Sequence, residues 1–245
     1  MKKIWRFFIV GTLMISSSLV WAGWDKDFSK KVNEFRGDGN GHGELSEGQI
    51  IDGLKEALRV GTAHAANFAG QKDGFFGNPA IKIPMPEQLE TVEKLFRKMG
   101  HEEMVDEFIL SMNRAAEQAA PAAKKIFWDA ILEMSFQDAR KIFQGNDTAA
   151  TEYFIMKTSD ELRKAFLPAI SDATNNVGVT RNYKDLAEKA KSIPFVKNKA
   201  VNIDEYVANK ALDGLFYLVG EEEKRIREDP LARVTDILKQ VFGRR

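Results

Sequence analysis

Residues 72–89 read K-D-G-F-F-G-N-P-A-I-K-I-P-M-P-E-Q-L. They decide the fold because they are the stretch that refuses to be a helix. Two glycines (Gly74, Gly77), three prolines (Pro79, Pro84, Pro86) and an apolar series (Phe75, Phe76, Ile81, Ile83, Met85) share one loop. Loops are normally polar and superficial. An apolar, proline-stiffened loop must either pack onto the body or present itself to something.

Working outward, apolar residues recur at helical spacing. Upstream, Ser46 with Gln49 makes a capping box, followed by Ile50, Ile51, Leu54, Ala57 and Leu58 on one face. Downstream, Pro86 suits a first helical position, and Leu89, Val92, Leu95, Phe96 and Met99 form a stripe that Gly100 stops. Residues 101–118 carry Met104, Val105, Phe108, Met112 and Ala115 inward. Pro121 opens the next helix, and Ser135 with Asp138 caps a short one ending at Gly145. Thr158 with Glu161 predicts a helix start, and Pro168 a kink beyond it. A second irregular strap, S-I-P-F-V-K-N-K-A-V-N-I, runs from Ser192 to Ile203. Asp204 is then expected to cap a long helix, and Asp229-Pro230 to open a last one burying Leu231, Val234, Leu238 and Val241. No strand-like alternation extends beyond a few residues. The expected fold is all-α: a single bundle-like domain of roughly eight to ten helices with two irregular apolar straps.

The N-terminus predicts an exported chain. Lys2, Lys3 and Arg6 precede the apolar run Phe7–Val20, and Val20-Trp21-Ala22 offers a cleavage site. That run falls short of the roughly 20 residues needed to span a bilayer. The expected division is a signal peptide at 1–22, a charged, glycine-rich segment at 23–44, and a helical domain at 45–245, in a bacterial periplasm with no transmembrane segment after cleavage. The chain holds 36 basic and 36 acidic residues, so losing a basic leader makes it slightly acidic. Without basic clusters it is a poor nucleic-acid binder. It contains no cysteine, which excludes thiol chemistry and thiolate metal sites.

Four stretches resemble the signatures of a bacterial family catalogued as domain of unknown function 4197. They are Asp73-Gly-Phe-Phe-Gly-Asn-Pro-Ala-Ile-Lys-Ile-Pro on to Pro86; Asn113-Arg114-Ala-Ala-Glu117; Ala149-Ala-Thr-Glu-Tyr-Phe154; and Lys210-Ala-Leu-Asp-Gly-Leu-Phe216 on to Glu221-Glu-Glu-Lys. The resemblance runs from Leu45 to Gly243. It implies an exported, mostly helical protein and brings no activity and no catalytic residues.

Candidate sites compete with structural roles. Asp38, Asn40, Gly43 and Leu45 fall at calcium-loop positions, but Gln49 stands where a bidentate glutamate is required. His42, His64 and His101 lie in separate elements and form no metal-binding pair. No cofactor or metal is therefore expected. Asn113, Arg114 and Glu117 sit in an alanine-rich helix where neighbours approach closely, so they must find partners. With Asp213 on another apolar helix, they suggest a buried arginine–carboxylate pair, or a pocket in which Arg114 receives an anionic group. Glu221–Arg227 reads as a solvated face with Glu221–Arg225 and Glu223–Arg227 pairs. The strap residues Phe75, Phe76, Ile81, Ile83 and Met85 either seal the bundle or form the mouth of an apolar pocket.

These readings give an uncharacterised, non-enzymatic periplasmic domain that binds a hydrophobic or amphipathic ligand, or an envelope protein, near the strap. The alternative is a structural or interaction domain without a pocket. An enzyme using carboxylates and Arg114 ranks third, because no nucleophile–base arrangement is visible.

Overall fold

A computed structural model of the chain describes residues 47–176 and 201–228. The expected leader, the glycine-rich residues 37–43, Ser46, most of the expected second strap and the expected final helix lie outside the described residues. Contacts divide the chain into units Met1–Glu44 and Leu45–Arg245, and every described residue belongs to the second.

Among the described residues the structure is helical and holds no strand. The helices are α1 (Glu47–Ala69), α2 (Glu90–Lys98), α3 (Glu102–Ala119), α4 (Ala123–Glu133), α5 (Phe136–Gln144), α6 (Ala149–Asn176) and α7 (Ile203–Glu228). Short 3-10 turns at Glu87–Leu89 and Ala120–Ala122 carry the chain into α2 and α4. Helix α7 lies against α6 and α1, and α3 packs on α6 and α7. Helix α4 fills the space between α1 and α6. Their shared interior contains Phe108, Phe127, Phe154, Phe166, Leu162 and Ile170, all fully buried.

Local chemistry explains the boundaries. Ser135 Oγ accepts from the Asp138 N–H at 3.1 Å, while Asp138 Oδ2 accepts from the Ser135 N–H at 3.3 Å, a complete capping box for α5. Gly100 adopts φ +78°, the left-handed conformation that closes α2. The His101 N–H then donates to Phe96 O at 2.9 Å, and the two rings lie 5.9 Å apart.

Two expected helix starts move. Thr158 does not begin a helix: α6 has already run from Ala149, and the Thr158 hydroxyl donates back to Phe154 O at 2.7 Å. A threonine inside a helix satisfies its hydroxyl on the preceding turn, so the S/T-x-x-E spacing alone does not mark an N-cap. Pro168 sits inside this same helix, on its exposed side. Likewise Asp204 is not the cap of α7. Asn202 Oδ1 accepts from the Glu205 N–H at 3.2 Å, and Ile203, expected to end the strap, is the first helical residue.

Candidate functional site

The strap at 72–86 is irregular, as its glycines and prolines require, and its apolar side chains turn inward. Phe75, Ile81, Ile83 and Met85 are buried, and Phe76 is half-buried. Burying such side chains contributes about 1.5–3 kcal/mol each. Phe75 enters a filled core. A Cβ at Gly214 of α7 would stand 2.7 Å from the Phe75 ring and 3.0 Å from Ile81 Cβ. Glycine suits that position because the Phe75 and Ile81 side chains lie directly against the α7 backbone. Phe76 stays nearer the surface, with Lys82 Nζ 4.1 Å above its ring and the Arg114 guanidinium at 5.9 Å.

A buried strap carries backbone amides that must be satisfied. Helix α3 supplies the partners. Asn113 Oδ1 accepts from the Ile83 N–H at 2.8 Å, and its Nδ2 donates to Ile83 O at 2.9 Å and Ile109 O at 2.8 Å. The amide thus pairs with Ile83 as a neighbouring strand would. One turn on, Glu117 Oε1 accepts from the N–H groups of Phe75 at 3.1 Å and Phe76 at 3.2 Å. Its other oxygen accepts from Arg114 Nη1 at 2.6 Å. Arg114 also reaches Asp73 Oδ1 at 2.7 Å, which anchors a residue at φ +65°. Burial alone would lower the Arg114 pKa, but the bonds to Glu117 and Asp73 outweigh it and hold the guanidinium above its ordinary value. From α7, the Tyr206 hydroxyl donates to Pro84 O at 3.1 Å.

The structure therefore brings Phe75, Phe76, Ile81, Ile83, Met85, Asn113, Arg114 and Glu117 together. Asp213 is not among them. Its side chain is 72% exposed, with Lys210 at 3.8 Å, because its neighbour Gly214 is the residue that faces the strap. Asp73 is the second carboxylate of Arg114, a role sequence spacing did not indicate.

The charge run on α7 is also not a uniformly solvated face. Glu223 is buried against the start of α6. Its carboxylate accepts from the Ala150 N–H at 2.9 Å, the Thr151 N–H at 2.8 Å and the Thr151 hydroxyl at 2.8 Å. These amides are unpartnered within their own helix, at its positive end. Arg227 donates to Glu223 at 2.8 Å, as the i, i+4 spacing predicts, and also to Ile142 O near the end of α5. Arg225 pairs with Glu222 rather than with Glu221. A signal was available for Glu223: Leu212, Leu215, Val219 and Ile226 share one helical phase, and Glu223 falls on it.

The four stretches that carry the family resemblance thus meet in space. The strap docks on Asn113–Glu117 and Gly214, and Ala150-Thr151 dock on Glu223. Outside these contacts, open grooves border α7. One of about 590 Å³ lies between Pro84, Met85, Glu87 and Tyr206, and another of about 590 Å³ lies between α6 and α7. Among the described residues no group of acidic or histidine side chains is placed to hold a metal ion, and no helix is long and apolar enough to cross a membrane. No curated protein and no solved structure matches the chain. The sequence model of one family matches residues 44–243 of the 245, and the protein therefore belongs to the family described as protein of unknown function (DUF4197).

Proposed function

We propose that this chain is a non-enzymatic periplasmic binding domain, exported through a leader cleaved after Ala22. In this reading residues 45–245 form a bundle of roughly eight to ten helices. The strap is its structural clasp, and a hydrophobic or amphipathic ligand, or an envelope partner, is held on the surface around α7. The observation that carries this reading is the engagement of Asn113, Arg114 and Glu117. Both Asn113 amide hydrogens and both Glu117 oxygens are committed: the amide to Ile83 of the strap and to Ile109 O of its own helix, the carboxylate to the strap backbone and to Arg114. A general acid or base needs a free geometry toward substrate, and these groups face inward instead. Ligand recognition then falls to the grooves bordering α7, whose size suits a small molecule.

A second reading, a protein-interaction domain without a ligand pocket, is favoured by Trp128, Leu132 and Phe136. These large side chains are exposed in succession along α4 and the start of α5. Native mass spectrometry of protein purified from its own periplasm separates the two. The expected result is a small added mass on a chain beginning at Gly23. A bare mass overturns ligand binding, a protein-sized added mass establishes the second reading, and a chain retaining residues 1–22 overturns the processing.

A further inference from the structure

We propose that the groove between α1 and α7 is a binding site for a phenolic aromatic ligand. Its volume is about 370 Å³, within the range of small-molecule sites. His64 and Phe68, one turn apart on α1, line one wall. Tyr217, Leu218, Glu221 and Glu222 line the other, from α7.

The groove holds a histidine whose tautomer is fixed from behind. His64 Nδ1 donates to Glu222 Oε1 at 2.6 Å, across the seam between the two helices. The other Glu222 oxygen accepts from Arg225 at 2.5 Å, and the Glu222 side chain is mostly buried. A carboxylate can only accept, so Nδ1 carries the hydrogen. In the neutral ring Nε2 is then a bare acceptor. The His64 side chain is 48% exposed, and it makes no second hydrogen bond among the described residues. A ligand in the groove can therefore reach it. A carboxylate that holds the far nitrogen also fixes the plane of the ring, so Nε2 accepts in one direction.

The surroundings choose the ligand. Phe68 and Tyr217 each leave part of a ring exposed, one from each helix. Such rings favour a flat aromatic body. The acceptor asks for one donor attached to that body, and a phenol hydroxyl supplies it. An anion has no hydrogen for Nε2 and would meet the exposed Glu221 carboxylate, while Arg225 is already engaged with Glu222.

The site deepens the reading of the α7 grooves as binding surfaces and rests on it. The processed chain is titrated with phenol and with anisole, which keeps the ring and lacks the donor. Amide and imidazole nitrogen NMR shifts are followed, at a pH where those shifts show His64 neutral. The hydrogen of His64 is expected on Nδ1. Phenol is expected to bind in the millimolar range and to move resonances of residues 64–68 and 217–222. It should also move the His64 Nε2 resonance, and anisole should bind about fivefold more weakly. His64→Phe keeps an aromatic wall without an acceptor, so the two compounds should bind it alike. Glu222 is a positioning residue: Glu222→Leu should shift the hydrogen of His64 toward Nε2 and weaken phenol by about the same factor. Trp128→Ala, on an exposed face of α4, should leave binding unchanged. Equal binding of phenol and anisole by the parent, a parent His64 with its hydrogen on Nε2, unchanged phenol preference in His64→Phe, or no shift at these residues overturns the site. Each of these leaves the binding-domain reading to the native mass measurement. Chemical conversion of the bound phenol would break the non-enzymatic reading while leaving the site in place.

Discussion

Two carboxylates hold this molecule together, and they differ in what stands behind them. Glu117 of α3 and Glu223 of α7 are both buried, both accept from two consecutive backbone amides of a distant segment, and both are paired with an arginine on their own helix. Glu117 grips a loop, and Glu223 grips the first turn of a helix. The arginines are the real contrast. Arg114 keeps 23% of its side chain exposed and has Asp73 as a second partner. Arg227 is only 5% exposed. Removing the carboxylate therefore leaves a buried cation uncompensated in the Glu223 clasp and loosens a partly solvated one, still paired with Asp73, in the Glu117 clasp.

That difference predicts an order. Glu223→Ala should be the most damaging change, costing about 3–5 kcal/mol, because it removes the carboxylate that balances the buried Arg227 charge and the acceptor of the α6 amides. Urea unfolding measures it, and the loss should be global, since α6 and α7 are the central pair. Glu117→Ala should cost less, about 2–3 kcal/mol, since Arg114 can turn to Asp73 and water. Its signature should be local: hydrogen exchange at Phe75 and Phe76 should rise more than exchange across α6. If the two variants unfold at the same urea concentration, arginine exposure does not set the difference.

Much of the fold is legible in the sequence, because helical periodicity and the Gly100 and Ser135 signals are local. The clasps are less so. The strap's burial follows from composition, but its partners do not, because nothing in spacing says which helix will lie beneath it. Asp213 was misplaced because an acidic residue in an apolar helix suggests burial. Helical phase puts Gly214 on the buried side instead. Glu223 was missed for the opposite reason: three glutamates in a row suggest solvent, yet the third continues the Leu212–Leu215–Val219 stripe. Thr158 shows the limit of a short motif, since the same four residues serve a helix start or a helix interior.

The glycine contact sharpens the comparison further. Gly214→Ala adds a methyl 2.7 Å from the Phe75 ring. Phe75 is fully buried and cannot swing away, so the strap must lift. The expected cost is about 1–3 kcal/mol, borne by the Glu117 clasp alone. Combining Gly214→Ala with Glu117→Ala should be less than additive, whereas combining it with Glu223→Ala should be additive. A double-mutant cycle in urea decides this.

The smallest effect belongs to the strap's outer fastening, and its signature is read in alkali. Burial, with a smaller contribution from the nearby Glu87 charge, pushes the Tyr206 phenol up to about 12. Its unfolded value is about 10. Between those values the folded chain keeps a proton that the unfolded chain releases, so unfolding is favoured as pH rises. The stabilisation is complete below about pH 10 and is lost through about pH 12. Tyr206→Phe removes the hydroxyl that donates to Pro84 O, at a cost of about 0.5–1.5 kcal/mol near neutral pH. It should also lose less stability than the parent as pH rises above about 10, so the two stability curves converge. Parallel curves across that window would mean that the Tyr206 hydroxyl is not held against Pro84, and that the clasp rests on Asn113 and Glu117 alone.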